Sequence, residues 1–286
     1  MTNSPDGLPP LREVISQYDL AAKKSLGQNF LLDLNLTSRI ARNGGPLDKG
    51  TVFEIGPGPG GLTRGLLMEG ANSVIAIEKD QRCIKALEDV TRAYNGKLEV
   101  LDKDALKVDL TQLGTAPRRV VANLPYNIST VLLIHWLKQL AADPTAFASL
   151  TLMFQKEVVD RLTAKPRTKS YGRLTIMTQW LCNISALFDI PPRAFIPPPK
   201  ITSTVARLEP RSRPLAEADV YDLEKVTEAA FGQRRKMLRQ SLKSLGVDTA
   251  QLILEAEIKE TARAEELSIE EFCAIARSYR GLKPKP

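Results

Sequence analysis

The sequence predicts an α/β fold, with a mostly parallel, doubly wound sheet covered by helices on both faces and a small all-helical C-terminal domain. Three observations predict it. Between residues 51 and 154, short runs rich in β-branched residues alternate with longer helical stretches, the pattern of strands joined by crossover helices. A glycine-rich turn, Gly56-Pro57-Gly58-Pro59-Gly60-Gly61, links the first of these strands to its helix, and open α/β sheets bind ligands at such strand ends. Beyond Pro210 the apolar spacing turns helical and no convincing strand follows.

The elements follow in order. Residues 1–10 hold three prolines and a glycine and read as a frayed lead-in. A short helix is expected over 11–20 and another from near Asp33. Strands are expected over 51–55, 73–77, 97–101, 119–122 and 149–154, with helices over 61–69, 81–94 and 129–140. About four helices are expected between residues 216 and 279, and the end, Lys283-Pro284-Lys285-Pro286, reads as disordered.

Composition narrows the class. Hydrophobic residues at 43% and charged residues at 26% are ordinary for a globular chain of 286 residues, long enough for one large domain and a small one. Forty Lys and Arg against 33 Asp and Glu leave a net charge of +7, which suits a polyanionic partner. Cys83, Cys182 and Cys273 are odd in number and far apart, which argues against a disulfide framework or a cysteine metal site and fits a reducing cytoplasm. No stretch approaches 18 apolar residues, and the polar start from Met1 to Asp6 does not read as a signal peptide. The single histidine, His135, sits in an amphipathic run; its isolation excludes HExxH sites and Ser-His or Cys-His systems, and no metal site is expected.

The chemistry centres on Asn123-Leu124-Pro125-Tyr126, which follows the apolar run Arg119-Val120-Val121-Ala122. Asn123 offers a side-chain carbonyl, and Pro125 fixes φ so that the Leu124 carbonyl can turn to the same point. Two acceptors then converge on one exocyclic amine. Tyr126 supplies a flat face, and a base stacked on an aromatic gains roughly 1–3 kcal/mol. An amine conjugated into its ring is a poor nucleophile. Acceptors that pull its hydrogens out of the ring plane localise the nitrogen lone pair, so the site needs positioning more than a strong base.

A glycine-rich turn alone resembles the dinucleotide fingerprint. Here Pro57 and Pro59 stiffen it, and Glu54 precedes it. That acid would repel a pyrophosphate but suits the ammonium and sulfonium of S-adenosylmethionine. Glu78, at the end of the second strand, is placed to accept from ribose hydroxyls, and Asp104, after the third, from the adenine amine.

Cationic segments complete the pattern. Lys23 and Lys24 precede a Gly27-Gln28-Asn29 turn with a Phe30-Leu31 anchor, a basic loop suited to closing over a ligand. Residues 161–173 carry Arg161, Lys165, Arg167, Lys169 and Arg173 without an acid, and residues 195–200 present Phe195 and Lys200 on a proline-stiffened stretch. A rigid aromatic beside a cation is what a flipped base needs. Residues 231–247 are expected to form a helix whose Arg234, Arg235, Lys236, Arg239 and Lys243 contact phosphates.

Six ordered motifs carry a family resemblance: residues 24–31, Glu54 to Gly60, Asn123-Leu124-Pro125-Tyr126-Asn127, Gln155-Lys156-Glu157-Val158 with Tyr171-Gly172-Arg173-Leu174, Phe195 to Ser203, and Phe231-Gly232-Gln233-Arg234-Arg235-Lys236. On these the chain resembles the KsgA/RsmA-type small-subunit rRNA adenine-N6 dimethyltransferases. The resemblance implies a Rossmann-like class I methyltransferase domain over 1–210 and a helical, RNA- and ribosome-contacting domain over 211–286. It implies S-adenosylmethionine held by Asn29, Leu31, Gly56, Glu78, Asp104 and Asn123, with Gln28, Gly58, Lys79 and Ala105 beside them. Asn123 and Leu124 would hold the target N6 between Tyr126 and Phe195. The family dimethylates two adjacent adenines in a hairpin loop near the RNA 3′ end, during late subunit assembly. The implied partner is rRNA within a pre-assembled small subunit, met by a cytoplasmic monomer through Lys23, Lys24, Arg167, Lys169, Lys200, Arg234, Arg235 and Lys236. Two residues depart from the pattern: Lys103 stands where the family has Gly, and Met237 where a small polar residue is common. Three alternatives stay open at this level. They are a resistance-type enzyme acting on large-subunit rRNA, a non-catalytic RNA-binding assembly or transcription factor, and, more distantly, a nicotinamide dehydrogenase.

Overall fold

The computed structural model describes residues 4–20 and 28–284. After α1 (Leu11–Gln17), the alternating segment runs β1 (Phe30–Leu31), α2 (Leu34–Arg42), β2 (Thr51–Ile55), α3 (Gly61–Met68), β3 (Val74–Glu78), α4 (Gln81–Ala93), β4 (Leu98–Asp102), β5 (Arg118–Asn123), α5 (Ser129–Ala142) and β6 (Ser149–Gln155). Asp33 caps α2 through the amides of Asn35 and Leu36, and Asp80 caps α4 through that of Arg82. β2 and β3 are buried along their whole length, as parallel strands covered on both faces must be.

Beyond β6 the chain adds α6 (Lys156–Leu162), α7 (Arg173–Leu181), β7 (Cys182–Ile190), β8 (Phe195–Ile196), β9 (Ser203–Pro210), α8 (Val220–Gly232), α9 (Leu238–Ser241), α10 (Thr249–Glu255) and α11 (Ile269–Leu282). Seven strands form one sheet in the order β4-β3-β2-β5-β6-β9-β7. The pairs from β4 to β6 are parallel, and β9 joins β6 antiparallel. β7 and β9 lie beyond the expected strands; β7 is a half-exposed edge strand with no clean apolar alternation, while β9 is largely buried between β6 and β7. The order reverses between β2 and β5, so a switch-point crevice opens at their carboxyl ends.

The lead-in is not frayed over residues 4–10. Arg64 on α3 is 1% exposed, and a guanidinium that deep needs a partner. Asp6 supplies it with bonds of 2.6 and 2.5 Å, and the Pro9 carbonyl accepts a third at 2.8 Å.

Packing divides the chain into two compact units. One takes Met1–Trp136, Thr145–Lys156 and Ser185–Pro210; the other takes Leu137–Pro144, Glu157–Ile184 and Arg211–Pro286. The second unit thus draws in two stretches that precede residue 210, where the sequence set its boundary. Its core explains why: Tyr171 Oη donates to the Leu267 carbonyl at 2.8 Å, Trp180 Nε1 donates to the Ala216 carbonyl at 2.8 Å, and Phe231 packs edge-on to Tyr171 and stacked on Phe272.

The helix expected over 231–247 is broken. α8 ends at Gly232, and Arg234, Arg235 and Lys236 lie in the turn before the single-turn α9. Met237 bridges Arg263 in β fashion, and the Leu238 amide donates to the Ala262 carbonyl at 2.9 Å. That pairing takes the backbone out of the helical register.

Candidate active site

A cavity opens at the carboxyl ends of β2 to β5. Every residue that the family resemblance placed around the cofactor lines it: Gln28, Asn29 and Leu31 beside β1, Gly56 and Gly58 in the turn after β2, Glu78 and Lys79 after β3, Asp104 and Ala105 after β4, and Asn123 at the end of β5. Leu124 and Tyr126 line it too. The turn after β2 is built for close approach. Gly58 has φ 56°, and a Cβ there would lie 2.8 Å from the Phe30 ring; at Gly61 it would meet the Leu31 carbonyl at 2.3 Å.

Two buried carboxylates set the electrostatics. Glu54 accepts from Thr63 Oγ1 at 2.6 Å, and burial pushes its carboxyl up to about 8, against the pull of that hydrogen bond and with the Glu78 charge adding to the rise. Glu78 Oε1 accepts from the amides of Lys79 and Asp80 at 2.8 and 2.9 Å, and Oε2 from that of Gly58 at 3.3 Å. Burial raises Glu78 and these amides oppose the rise. Asp80 is pulled down to about 2, first by its side-chain hydrogen bonds from Arg82. Gln28 Nε2 donates to the same carboxylate at 3.3 Å, which ties the segment before β1 to the end of β3. Asp104 Oδ1 accepts from the Leu106 amide at 3.1 Å, closing the short turn that shapes this edge.

Asn123 has a fixed orientation. Its Nδ2 donates to the Asn29 carbonyl at 3.0 Å, so the amide turns Oδ1, an acceptor only, the other way. Tyr126 is held by a 2.6 Å hydrogen bond between its hydroxyl and Ser203 Oγ, and burial raises its phenol. Lys103, exposed, lines the rim.

Phe195 stands in the core. It is 2% exposed, belongs to the core cluster with Leu31, Ile190 and Val205, and is not among the residues lining the cavity. β8 pairs with β1 so that Leu31 faces Phe195 and Phe30 faces Ile196. Residues that sequence reasoning passed over are Thr63, Asp80, Arg82 and Ser203. Of these only Ser203 stood in a motif already noted.

The basic segments of the second unit come together. Arg234 pairs with Glu265 at 2.9 Å and donates to the carbonyls of Lys169 and Thr168 at 2.7 and 3.0 Å, and the Arg167 amide donates to the Glu265 carbonyl at 2.7 Å. Arg167, Lys169, Arg235 and Lys236 are exposed there, as is Lys200 in the first unit. Lys23 and Lys24 lie outside the described residues.

A seven-stranded, mostly parallel sheet with helices and an acid-lined switch-point cavity defines the class I methyltransferase fold. The crystal structure of the 23S rRNA methyltransferase ErmE superposes with a TM-score of 0.63 at 26% identity, over 88% of this chain and 100% of that one. A dimethyladenosine transferase from Plasmodium falciparum gives 0.71 at 23% identity, over 88% of this chain and 98% of that one, a likeness of fold. The family model of the ribosomal RNA adenine dimethylases matches residues 20–280. The chain belongs to that family. Among its relatives, Ribosomal RNA small subunit methyltransferase A of Rhodospirillum rubrum is 60% identical over 273 residues, 96% of this chain and 93% of the relative. The protein of the same name from Xanthobacter autotrophicus is 60% identical over 97% of this chain and 96% of its own length.

Proposed function

We propose that this chain transfers methyl groups from S-adenosylmethionine to the N6 of two adjacent adenines in a 3′-terminal hairpin loop of small-subunit rRNA. The observation that carries this reading is the fixed Asn123 amide, in a cavity that it lines together with Tyr126, Glu54, Glu78 and Asp104.

The donor set fits the cofactor. S-adenosylmethionine supplies a methyl group on a cationic sulfonium. Glu78 keeps acceptor capacity for a ribose hydroxyl on Oε2, which accepts only from the Gly58 amide and has a second lone-pair site, while Oε1 already takes two amides. Asp104 Oδ2 accepts the adenine amine while Oδ1 holds its own turn. Glu54 places a titratable carboxyl, not a phosphate donor, under the glycine turn. On the substrate side Asn123 Oδ1 and the Leu124 carbonyl accept from the two hydrogens of N6, and Tyr126 stacks on the ring. These contacts hold the amine with its lone pair out of the ring plane, so rate comes from orientation.

The RNA is met by Arg167, Lys169, Arg235 and Lys236, with Arg234 as their support, and by Lys200. Lys23 and Lys24 add charge ahead of β1. The substrate is the rRNA of a pre-assembled small subunit, late in assembly, and the protein acts as a cytoplasmic monomer. The three buried free thiols, Cys83, Cys182 and Cys273, are at home in a reducing compartment. Among the described residues no helix is long and apolar enough to cross a membrane.

The test is methyl transfer from labelled S-adenosylmethionine to small ribosomal subunits from a strain lacking the modification. Label in N6,N6-dimethyladenosine is expected. Binding without incorporation would leave an RNA-binding assembly factor, and label in large-subunit RNA would move the chain to the resistance-type enzymes.

A further inference from the structure

The loop between β8 and β9 offers Lys200 to the RNA, but its apolar side chains have no role in the reaction as described. It spans residues 196–203 and is pinned at both ends to the walls of the cavity. At one end it is tied to β1, whose Phe30 and Leu31 line the cavity, by the pairs Ile196 with Phe30 and Phe195 with Leu31. At the other, Ser203 Oγ lies 2.6 Å from Tyr126 Oη, Ser203 pairs with Gln155, and the Thr202 carbonyl accepts from the Lys156 amide at 3.0 Å. Three consecutive prolines, 197 to 199, brace the span. Ile196 is 42% exposed and Ile201 39%. Single exposed apolar side chains are ordinary. Two on one braced loop, beside an exposed lysine and anchored to the tyrosine of the base site, call for a partner.

We infer that Ile196 and Ile201 form an apolar wedge that fills the gap left in the RNA stack when the target adenine swings into the cavity, with Lys200 on the adjoining phosphate. This rests on the proposed reading of the site. An enzyme that works on a base takes it out of the stack, and side chains of this kind, inserted between base steps, hold the opened step apart. Two adjacent targets sharpen the need. The neighbour of the flipped base is then another adenine, whose wide face would otherwise close the gap by restacking. Phe195 is 2% exposed, whereas its neighbour Ile196 is 42% exposed and open to a partner.

The experiment uses the full chain and reconstituted small subunits carrying 2-aminopurine in place of one target adenine, with the wild type compared to Ile196→Ser/Ile201→Ser. Both side chains are exposed, so folding is spared, and a thermal melt checks it. The serine variant is expected to lose most of the fluorescence rise that reports flipping. On unmodified subunits kcat/KM should fall on the order of 10- to 100-fold, the range of one lost base stack, with S-adenosylmethionine affinity unchanged. Ile196→Leu/Ile201→Leu, which keeps the bulk, should retain activity. An abasic neighbour removes the base that would restack, so it should restore the serine variant. A serine variant that flips and methylates like the wild type overturns the wedge, and so does a defect that persists beside the abasic site. No transfer by the wild type to any subunit would overturn the reading of the site itself, a distinct result.

Discussion

Thr63 Oγ1 on the first turn of α3 donates a 2.6 Å hydrogen bond to the carboxyl of Glu54 on β2, so the acid under the cofactor turn is both buried and tethered. With its carboxyl raised from the ordinary 4.5 to about 8 by burial, Glu54 keeps its proton at neutral pH. The folded state then binds a proton that the unfolded state has lost, and the stability this contributes is complete below about pH 4.5 and falls as pH rises towards 8. Glu54→Gln, which keeps the acceptor for Thr63, should flatten that slope. Denaturant melts are expected to show the variant more stable than the wild type at pH 8.5, by at most a few kcal/mol, and little different near pH 4.

The same proton couples to the cofactor. A sulfonium beside Glu54 favours the ionised carboxyl, so below pH 8 binding a cationic ligand must expel the proton. Affinity for S-adenosylmethionine should therefore rise with pH relative to S-adenosylhomocysteine, whose sulfur is neutral, by at most about tenfold per unit and levelling above pH 8. Calorimetric titration of both ligands between pH 6 and 9 measures the ratio, taking that window from the raised carboxyl. A flat ratio would remove Glu54 from contact with the positive centre.

Asn123 has one productive orientation, because the Asn29 carbonyl takes its amide hydrogen. Asn123→Ala should lower kcat by on the order of 10²–10³, the range for a single preorganised polar group at a reacting centre, while rRNA binding stays intact. Asn123→Asp keeps the acceptor but sets a carboxylate against a carbonyl. It should be impaired as badly and recover partly at low pH, where a protonated acid can again donate to Asn29. An active alanine variant would refute the role of the side chain.

The parallel strands and the acids at their ends were legible because a doubly buried strand leaves a continuous apolar run, and the residue after it is fixed by the sheet. β7 was not, since this edge strand is half exposed and has no such run, and β9, though largely buried between β6 and β7, was missed as well. Contacts between distant residues escaped for a plainer reason. Nothing local in the sequence links Asn29 to Asn123 or Asp6 to Arg64. Phe195 was chosen for its ring, yet nothing local shows that this ring packs, 2% exposed, in the core cluster with Leu31, Ile190 and Val205. The helix expected over 231–247 failed where Leu238 pairs with Ala262, a tertiary contact overriding local spacing.

Asp6 and Arg64 form a nearly dry ion pair, with side chains 3% and 1% exposed. Removing one partner leaves a buried charge uncompensated, so Asp6→Ala should destabilise the fold by about 3–5 kcal/mol. Adding Arg64→Met should recover much of that loss, because an apolar pair of similar size has no charge to desolvate. Urea melts of the two variants make the comparison. An unaffected Asp6→Ala protein would mean that residues 4–10 do not hold this position in solution.

The last expectation concerns the cationic turn after α8. Arg234 is committed to Glu265 and to the carbonyls of Lys169 and Thr168, whereas Arg235 and Lys236 are exposed and neither has an ion pair within the described residues. Each lysine or arginine on a phosphate steepens the dependence of log affinity on log salt by about 0.9 on duplex and 0.7 on single-stranded RNA. Arg235→Ala/Lys236→Ala should therefore reduce the slope for small-subunit binding by roughly 1.4–1.8. Arg234→Ala should reduce it by a different route, through release of the 165–169 loop, and should make that loop more readily cleaved by trypsin. Binding titrations between roughly 50 and 200 mM salt read the slopes, and limited proteolysis reads the loop. A double variant with the wild-type slope would take this turn off the RNA. Equal protease resistance in Arg234→Ala would show that the loop does not depend on it.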